Sequence, residues 1–258
     1  MKMDSRKLYF DKTPIKSIVE SLLLYPEEEF CSPTRSTVPL LSLLKDGNRI
    51  LNTIIDELHL NNDCDLHLEF KVYPTRGIGA ASQTDLMLRG RGETLAMEAK
   101  WTEPRYDTVA VWSDTGKSPN NKEKVLRGWF DLIQPHTSRI LDIHDFSAAV
   151  YQMVHRAASA YFTSEHPRLA YLHFIPDPSG MGATSEQYQS DLEDLKDLIG
   201  NPKSFSFYLI DVEIKPTSAF EQIMNLPKAS FDTAKLVRTA LSDTTLYEFT
   251  DVHLQAIG

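Results

Sequence analysis

QTDLMLRGRGETLAMEAKW, residues 83–101, decides how this chain folds. Residues 83–89 and 94–102 are both rich in apolar side chains, and RGRGE at 89–93 supplies a turn between them. Two adjacent antiparallel strands follow from that pattern. Side chains alternate along a strand, so Glu98 and Lys100 project from one face while Leu95, Met97, Ala99 and Trp101 take the other. Asp85 lies on the neighbouring strand, with twelve residues between it and Glu98.

Two carboxylates on neighbouring strands can hold one Mg²⁺, with Mn²⁺ expected to substitute, and leave positions for water and a phosphate oxygen. Such a cation polarises a phosphoryl group, and a lysine beside it stabilises developing negative charge or orients a water. Asp85 and Glu98 are therefore the candidate metal ligands and Lys100 the candidate positioning cation. A Glu-x-Lys tripeptide on a strand is in most proteins only a solvated face. Here Leu86, Met87, Leu88, Leu95, Ala96 and Met97 surround the acids, which thus interrupt a sheet otherwise fit for burial.

Upstream, Leu66, Leu68, Phe70 and Val72 alternate with His67, Glu69 and Lys71, which predicts a strand with one buried face. The loop TRGIGAAS joins it to residue 83, and the three strands form a meander. Residues 13–26 predict a short amphipathic helix ending at Pro26, followed by the polar loop PEEEFCSPTRST. Residues 38–60 predict helix, broken at Gly47. Further helices are expected at 121–134, 145–162, 185–199, 218–225 and 230–241, and strands at 169–175 and 204–214. This order predicts an α/β fold: one domain spanning 1–258, with a central mixed sheet flanked by helices.

The residues in this order resemble the PD-(D/E)XK nuclease superfamily, the fold of many restriction enzymes. The likeness covers residues 38–175, and a nuclease-like core would run from about 38 to 215 with helical additions at either end. The resemblance implies an αβββαβ core in which Asp85, Glu98 and Lys100 are the catalytic signature. It further implies an upstream helical glutamate, matched by Glu57 with Asp56 a poorer fit. A polar residue from the helix after the motif is matched by Gln152, with Arg156 one turn later. Thr84 stands where the proline that names the motif would be. The implied activity is Mg²⁺-dependent endonucleolytic hydrolysis of DNA, in restriction, antiviral defence, repair or mobile-element processing. A degenerate member of such a fold would instead be a non-catalytic scaffold or protein-interaction module.

Composition sets the limits. The chain has 258 residues, 41% hydrophobic and 24% charged, with a net charge of −9 that does not advertise a polyanion partner. Residues 71–130 carry ten Lys/Arg against seven Asp/Glu, so the motif lies in the least acidic part. DNA binding is then expected to be salt-sensitive and aided by a homodimer or a protein partner. The N-terminal residues lack the apolar core of a signal peptide, and no apolar run has membrane-spanning length. Cys31 and Cys64 have neither metal nor redox spacing, which predicts reduced thiols in a cytoplasmic protein. Glu69 either joins the metal site or lies on a solvated strand face. Lys117, Lys122, Lys124 and Arg127 either meet a phosphate backbone or form the polar face of a helix. Arg76, Gly77 and Gly79 read as a tight turn.

Overall fold

The computed structural model describes residues 6–45, 49–61, 63–115, 118–225 and 231–258. In chain order the elements are β1 (Leu8–Phe10), β2 (Thr13–Ile15), α1 (Ile18–Ser21), α2 (Thr37–Lys45) and α3 (Arg49–Glu57). The meander follows as β3 (Asp65–Val72), β4 (Ser82–Arg89) and β5 (Glu93–Lys100), then α4 (Val109–Asp114), α5 (Pro119–Ile133) and α6 (Tyr151–Thr163). The remainder is β6 (His166–Ile175), α7 (Ser185–Leu198), β7 (Ser206–Pro216), α8 (Ser218–Met224), α9 (Phe231–Asp243) and β8 (Tyr247–Ala256). All eight strands join one mixed sheet of order β2-β1-β3-β4-β5-β6-β7-β8. The fold is α/β, a mixed sheet flanked by helices, as expected.

Two hydrophobic cores lie on opposite faces of this sheet. Leu95, Met97 and Ala99 of β5, Ala170 and Leu172 of β6, and Ile210 and Val212 of β7 pack with α2, α3 and α9. Ala96, Leu169, Tyr171, Phe207 and Leu209 pack on the other side with α5, α6 and α7. Parallel pairing of β5 with β6 and of β6 with β7 explains the second layer, because each parallel link needs a crossover that returns over one face. The helix α6 is buried almost all round, with Val154, Ala157, Ala158 and Tyr161 packed and Gln152 and Arg156 covered as well.

Several expectations change. Residues 13–26 contain β2 and the one-turn α1 in place of a longer helix. β2 is an edge strand, where Pro14 loses no ladder hydrogen bond. The helix expected from residue 145 begins at Tyr151, after a 3₁₀ turn at Ile143–Phe146. The additions at the two ends are not helical alone, since β1, β2 and β8 extend the sheet. Gly47, the expected break between α2 and α3, falls outside the described residues. No helix among the described residues is long and apolar enough to cross a membrane.

The largest change concerns β3. Leu66 and Leu68 pack in the first core, whereas Phe70 and Val72 pack in the second. The strand therefore turns over at Glu69, which has a left-handed φ of 53°. Its partner turns over with it. Pairing of β3 with β4 runs from Asp65↔Arg89 to Leu68↔Leu86 and resumes at Phe70↔Thr84, stepping over Glu69 and Asp85. Inverting both strands together keeps the hydrogen-bond register and exchanges which side chains face which core.

Behind this ribbon, the backbone of residues 74–76 lies on α5 at Gly128. A Cβ there would sit 2.6 Å from Arg76 N and 2.9 Å from Arg76 O. Alanine is the better helix former by about 1 kcal/mol. Gly128→Ala is nevertheless expected to destabilise the protein by roughly 1–3 kcal/mol through overpacking, read as a lower urea midpoint. A raised midpoint would show that helix propensity wins and that the contact yields.

Candidate functional site

The inversion at Glu69 and Asp85 opens a cleft of about 640 Å³ beside the end of β5. Its wall includes Tyr25 and Glu29 from the N-terminal segment, Glu69 and Lys71 from β3, Gln83 and Asp85 from β4, Glu98 and Lys100 from β5, and Gln152 and Arg156 from α6. Asp85, Glu98, Lys100 and Gln152 thus meet as the sequence predicts. Glu57 does not. It is exposed at the end of α3, whose buried stripe of Ile50, Leu51, Ile54 and Ile55 turns the polar face outward. Asp56 is exposed too. The upstream acid on the cleft wall is instead Glu29 of the 3₁₀ turn Glu27–Phe30, held by Thr37 Oγ1 at 2.9 Å and Arg35 Nε at 2.8 Å.

Glu98 is 2% exposed, as is Lys100. Both face α6, because their parity matches Ala96 rather than Met97. Glu98 Oε1 accepts from Lys100 Nζ at 2.9 Å and from Gln152 Nε2 at 2.7 Å, and its Oε2 accepts from Arg156 Nε. Burial would raise the Glu98 pKa, but Arg156 and Lys100 outweigh it by charge and hydrogen bonding and hold the carboxyl below its usual range. Burial would likewise lower Lys100, yet Glu98, Tyr106 and Asp85 hold it above its ordinary value. Lys100 is therefore a cation at neutral pH, suited to holding an anion and not to removing a proton. The Tyr106 ring lies 4.4 Å from its ammonium.

Arg156 continues the network. Its Nη1 donates to Ser82 Oγ at 2.7 Å, and Ser82 Oγ lies 2.9 Å from His155 Nδ1. Burial, then Arg156 and Lys100, push His155 well below its ordinary pKa. A neutral His155 can accept the Ser82 hydroxyl proton, so the chain Glu98–Arg156–Ser82–His155 is satisfied link by link.

Asp85 is held differently. The β4–β5 ladder ends at Leu86↔Met97, and the backbone N–H of Ala99 donates to Asp85 Oδ2 at 2.8 Å. Burial and then Glu98 push the Asp85 carboxyl up to about 7, against the opposing pull of Lys100 and Arg156. Burial, then Asp85, Glu29 and Glu98, push Glu69 up to about 9. Two carboxyls thus stand together without enough positive charge to ionise both at neutral pH. The Tyr25 hydroxyl and Gln152 Oε1 are buried on this wall without a hydrogen-bond partner. These unsatisfied oxygens fit a hard cation and its water. Among the described residues no three His, Cys, Asp or Glu side chains are gathered as a metal shell. Mg²⁺ asks for less, being bound by one or two carboxylates with water and phosphate completing its sphere.

The basic residues separate by context. Lys122 is turned inward onto the Thr115 and Trp112 carbonyls and lies 5.1 Å over the Trp112 ring. Arg127 pairs with Glu123 one turn away, and Lys124 is exposed, as on the polar face of a helix. Lys117 falls outside the described residues. Arg76 pairs with Asp131 at 2.6 Å beside Gly77, whose φ of 78° makes the tight turn expected there.

Removing one partner of a buried ion pair leaves the other uncompensated, at a cost of roughly 3–5 kcal/mol. Arg156→Met should lower stability by that order. Glu98→Gln combined with Arg156→Met should lower it by less than the sum of the single changes. Strict additivity in urea melts would show the pair to be uncoupled. The acids predict a pH trend of defined sign. A carboxyl whose folded pKa is raised contributes full stability below its unfolded pKa and loses it as pH rises through the folded value. Without added metal, the melting temperature should fall as pH rises through about 7 and towards about 9. Glu69→Gln should flatten the upper part of that fall, and identical profiles for variant and parent would contradict it.

Searches among curated proteins and among solved structures give no match. A family model described as a domain of unknown function, DUF6946, matches residues 14–208, which include the whole of the meander, α6, β6 and the start of β7. Since that match takes in most of the chain and every site residue named above, the protein belongs to the DUF6946 family.

Proposed function

We propose that this protein is a Mg²⁺-dependent nuclease acting on phosphodiester bonds in DNA, built on a restriction-endonuclease-like core. The observation that carries the reading is the convergence of Asp85, Glu98 and Lys100 from two adjacent strands on one cleft that also holds Gln152 and Arg156. Asp85 and Glu98 would hold the cation, which supplies Lewis acidity at the scissile phosphate. Lys100 and Arg156 bring fixed positive charge to an anionic substrate in a site shielded from bulk water. As a phosphate oxygen enters, Lys100 would exchange its contact with Glu98 for one with the substrate, which leaves Glu98 Oε1 with Gln152 and one acceptor position open. Gln152 holds the same carboxylate oxygen through its Nε2 and keeps its orientation during that exchange. An acidic chain of net charge −9 gains its grip on DNA from a second copy or a protein partner that aligns basic surfaces.

One observation favours a different reading. Glu98 is already satisfied by Lys100, Gln152 and Arg156, as in a structural ion cluster of a non-catalytic scaffold. Cleavage of plasmid and oligonucleotide DNA separates the two. Nuclease action predicts Mg²⁺- or Mn²⁺-dependent products, abolished by chelation and by Asp85→Asn or Glu98→Gln. Lys100→Met should lower kcat by about 10²–10³-fold while the protein stays folded. No cleavage with either metal across a salt series, by a folded preparation, would leave the scaffold reading.

A further inference from the structure

Glu69 is a residue whose placement the nuclease reading does not require. It is an acid, part-buried, set in the left-handed region at φ 53°, and located where β3 and β4 invert together. A non-glycine side chain in that region is held there by its surroundings, and such residues gather at functional sites. The consequence of the inversion is specific. Along an undisturbed β3, Leu66, Leu68, Phe70 and Val72 would share one face. With the strand turned over, Phe70 and Val72 enter the second core and Lys71 and Gln83 come to line the cleft. Glu69 and Asp85 occupy the step that the β3–β4 pairing omits, side by side at the mouth of the inversion.

We infer that Glu69 and Asp85, the two acids at the strand inversion, form the carboxylate pair that first takes up a divalent cation in this cleft. The inference rests on the nuclease reading only for the kind of cation. Glu98 is a poorer first contact, since both of its oxygens are engaged by Lys100, Gln152 and Arg156, and the Lys100 and Arg156 cations repel another. Asp85 spends one oxygen on the Ala99 N–H, which leaves Oδ1 for the cleft. Two orphaned groups on the same wall point to a ligand there. The hydroxyl of Tyr25, a residue 3% exposed, and Oε1 of Gln152, a residue 8% exposed, have no hydrogen-bond partner. Tyr25 lines the same cleft as Glu69, Asp85 and Glu29. The water shell of a hard cation would satisfy both groups. The charged groups facing Glu69 are Asp85, Glu29, Glu98 and Arg156, so its surroundings are predominantly negative.

Mn²⁺ titration of the full chain, followed by calorimetry and by loss of the free-ion paramagnetic resonance signal, tests this without any substrate. Wild type should bind, and Glu69→Gln should weaken binding by at least ~10-fold. Glu69→Asn is the second variant, because asparagine tolerates the left-handed region; melting curves confirm that each is folded. Glu103→Gln is the control for charge alone. Glu103 lines the same cleft, but its oxygens accept from the Ser36 and Trp101 N–H groups. It should bind Mn²⁺ nearly as well as wild type. Binding unaffected by both Glu69 variants, equal weakening by Glu103→Gln, or no binding by wild type would each overturn the inference. Mn²⁺ bound through Glu69 with no DNA cleavage would retire the nuclease reading and leave the cation site standing. Cleavage with Glu69-independent binding would do the reverse.

Discussion

The buried carboxylate of Glu98 is the constraint around which this protein is arranged. A lone ionised carboxylate at that depth would be strongly unfavourable, and its neutral form would leave the donors around it unpaired. Lys100, Gln152 and Arg156 resolve the problem together, and they do so from two different elements. The helix α6 is thereby fixed in rotation and height on the sheet, because Gln152 and Arg156 must both reach one side chain of β5. The apolar residues of α6 then fall where Ala96, Leu169 and Tyr171 present the second core. Nonpolar packing is non-directional, whereas the ion cluster joins two named positions of α6 to one of β5.

The same cluster divides the site into two electrostatic halves. Around Glu98 both carboxylate oxygens are engaged by Lys100, Gln152 and Arg156, while Gln152 Oε1 has no partner. Around Asp85 and Glu69 the balance is negative, and burial drives both carboxyls to hold protons at pH values where exposed acids have lost them. An anion is drawn to Lys100 and Arg156 and a cation to Asp85 and Glu69. Under the proposed reading, a phosphate with its divalent counter-ion would satisfy both halves at once, which neither a simple anion nor a simple cation would do.

Much of this was legible in the sequence wherever one local rule decided the outcome. Period-two alternation placed Glu98 and Lys100 on one face, and the i, i+4 spacing placed Gln152 and Arg156 on one side of α6. The parts that were not legible depend on several segments at once. β8 lacks clean alternation because its pairing with β7 shifts register between Val212 and Ile214, so Phe249 and Val252 are three residues apart. β1 and β2 are three residues each, too short to show a period. Glu57 failed since helical position fixes only which residues share a face, and the apolar stripe of α3 claims the inward one. Glu29 lies in a segment that reads as polar loop. Only the folded arrangement of Thr37, Arg35 and the sheet edge brings it to the cleft.

The inversion at Glu69 and Asp85 is illegible for a more general reason. Leu66, Leu68, Phe70 and Val72 alternate without interruption, and both sheet faces are buried, so either facing satisfies the pattern. What decides between them is the second core. Phe70 packs with Met87 of β4, His67 stacks on Tyr9 of β1 at 4.4 Å, and each contact holds one side of the turnover. A regular strand would have kept Lys71 and Gln83 away from the cleft and paired Glu69 with Asp85 in the ladder. The left-handed backbone at Glu69 costs of order 1–3 kcal/mol, and a glycine there would carry it at less expense. A carboxylate there, on the cleft wall with Asp85, is what the proposed cation site uses and what the packing of the sheet alone does not call for.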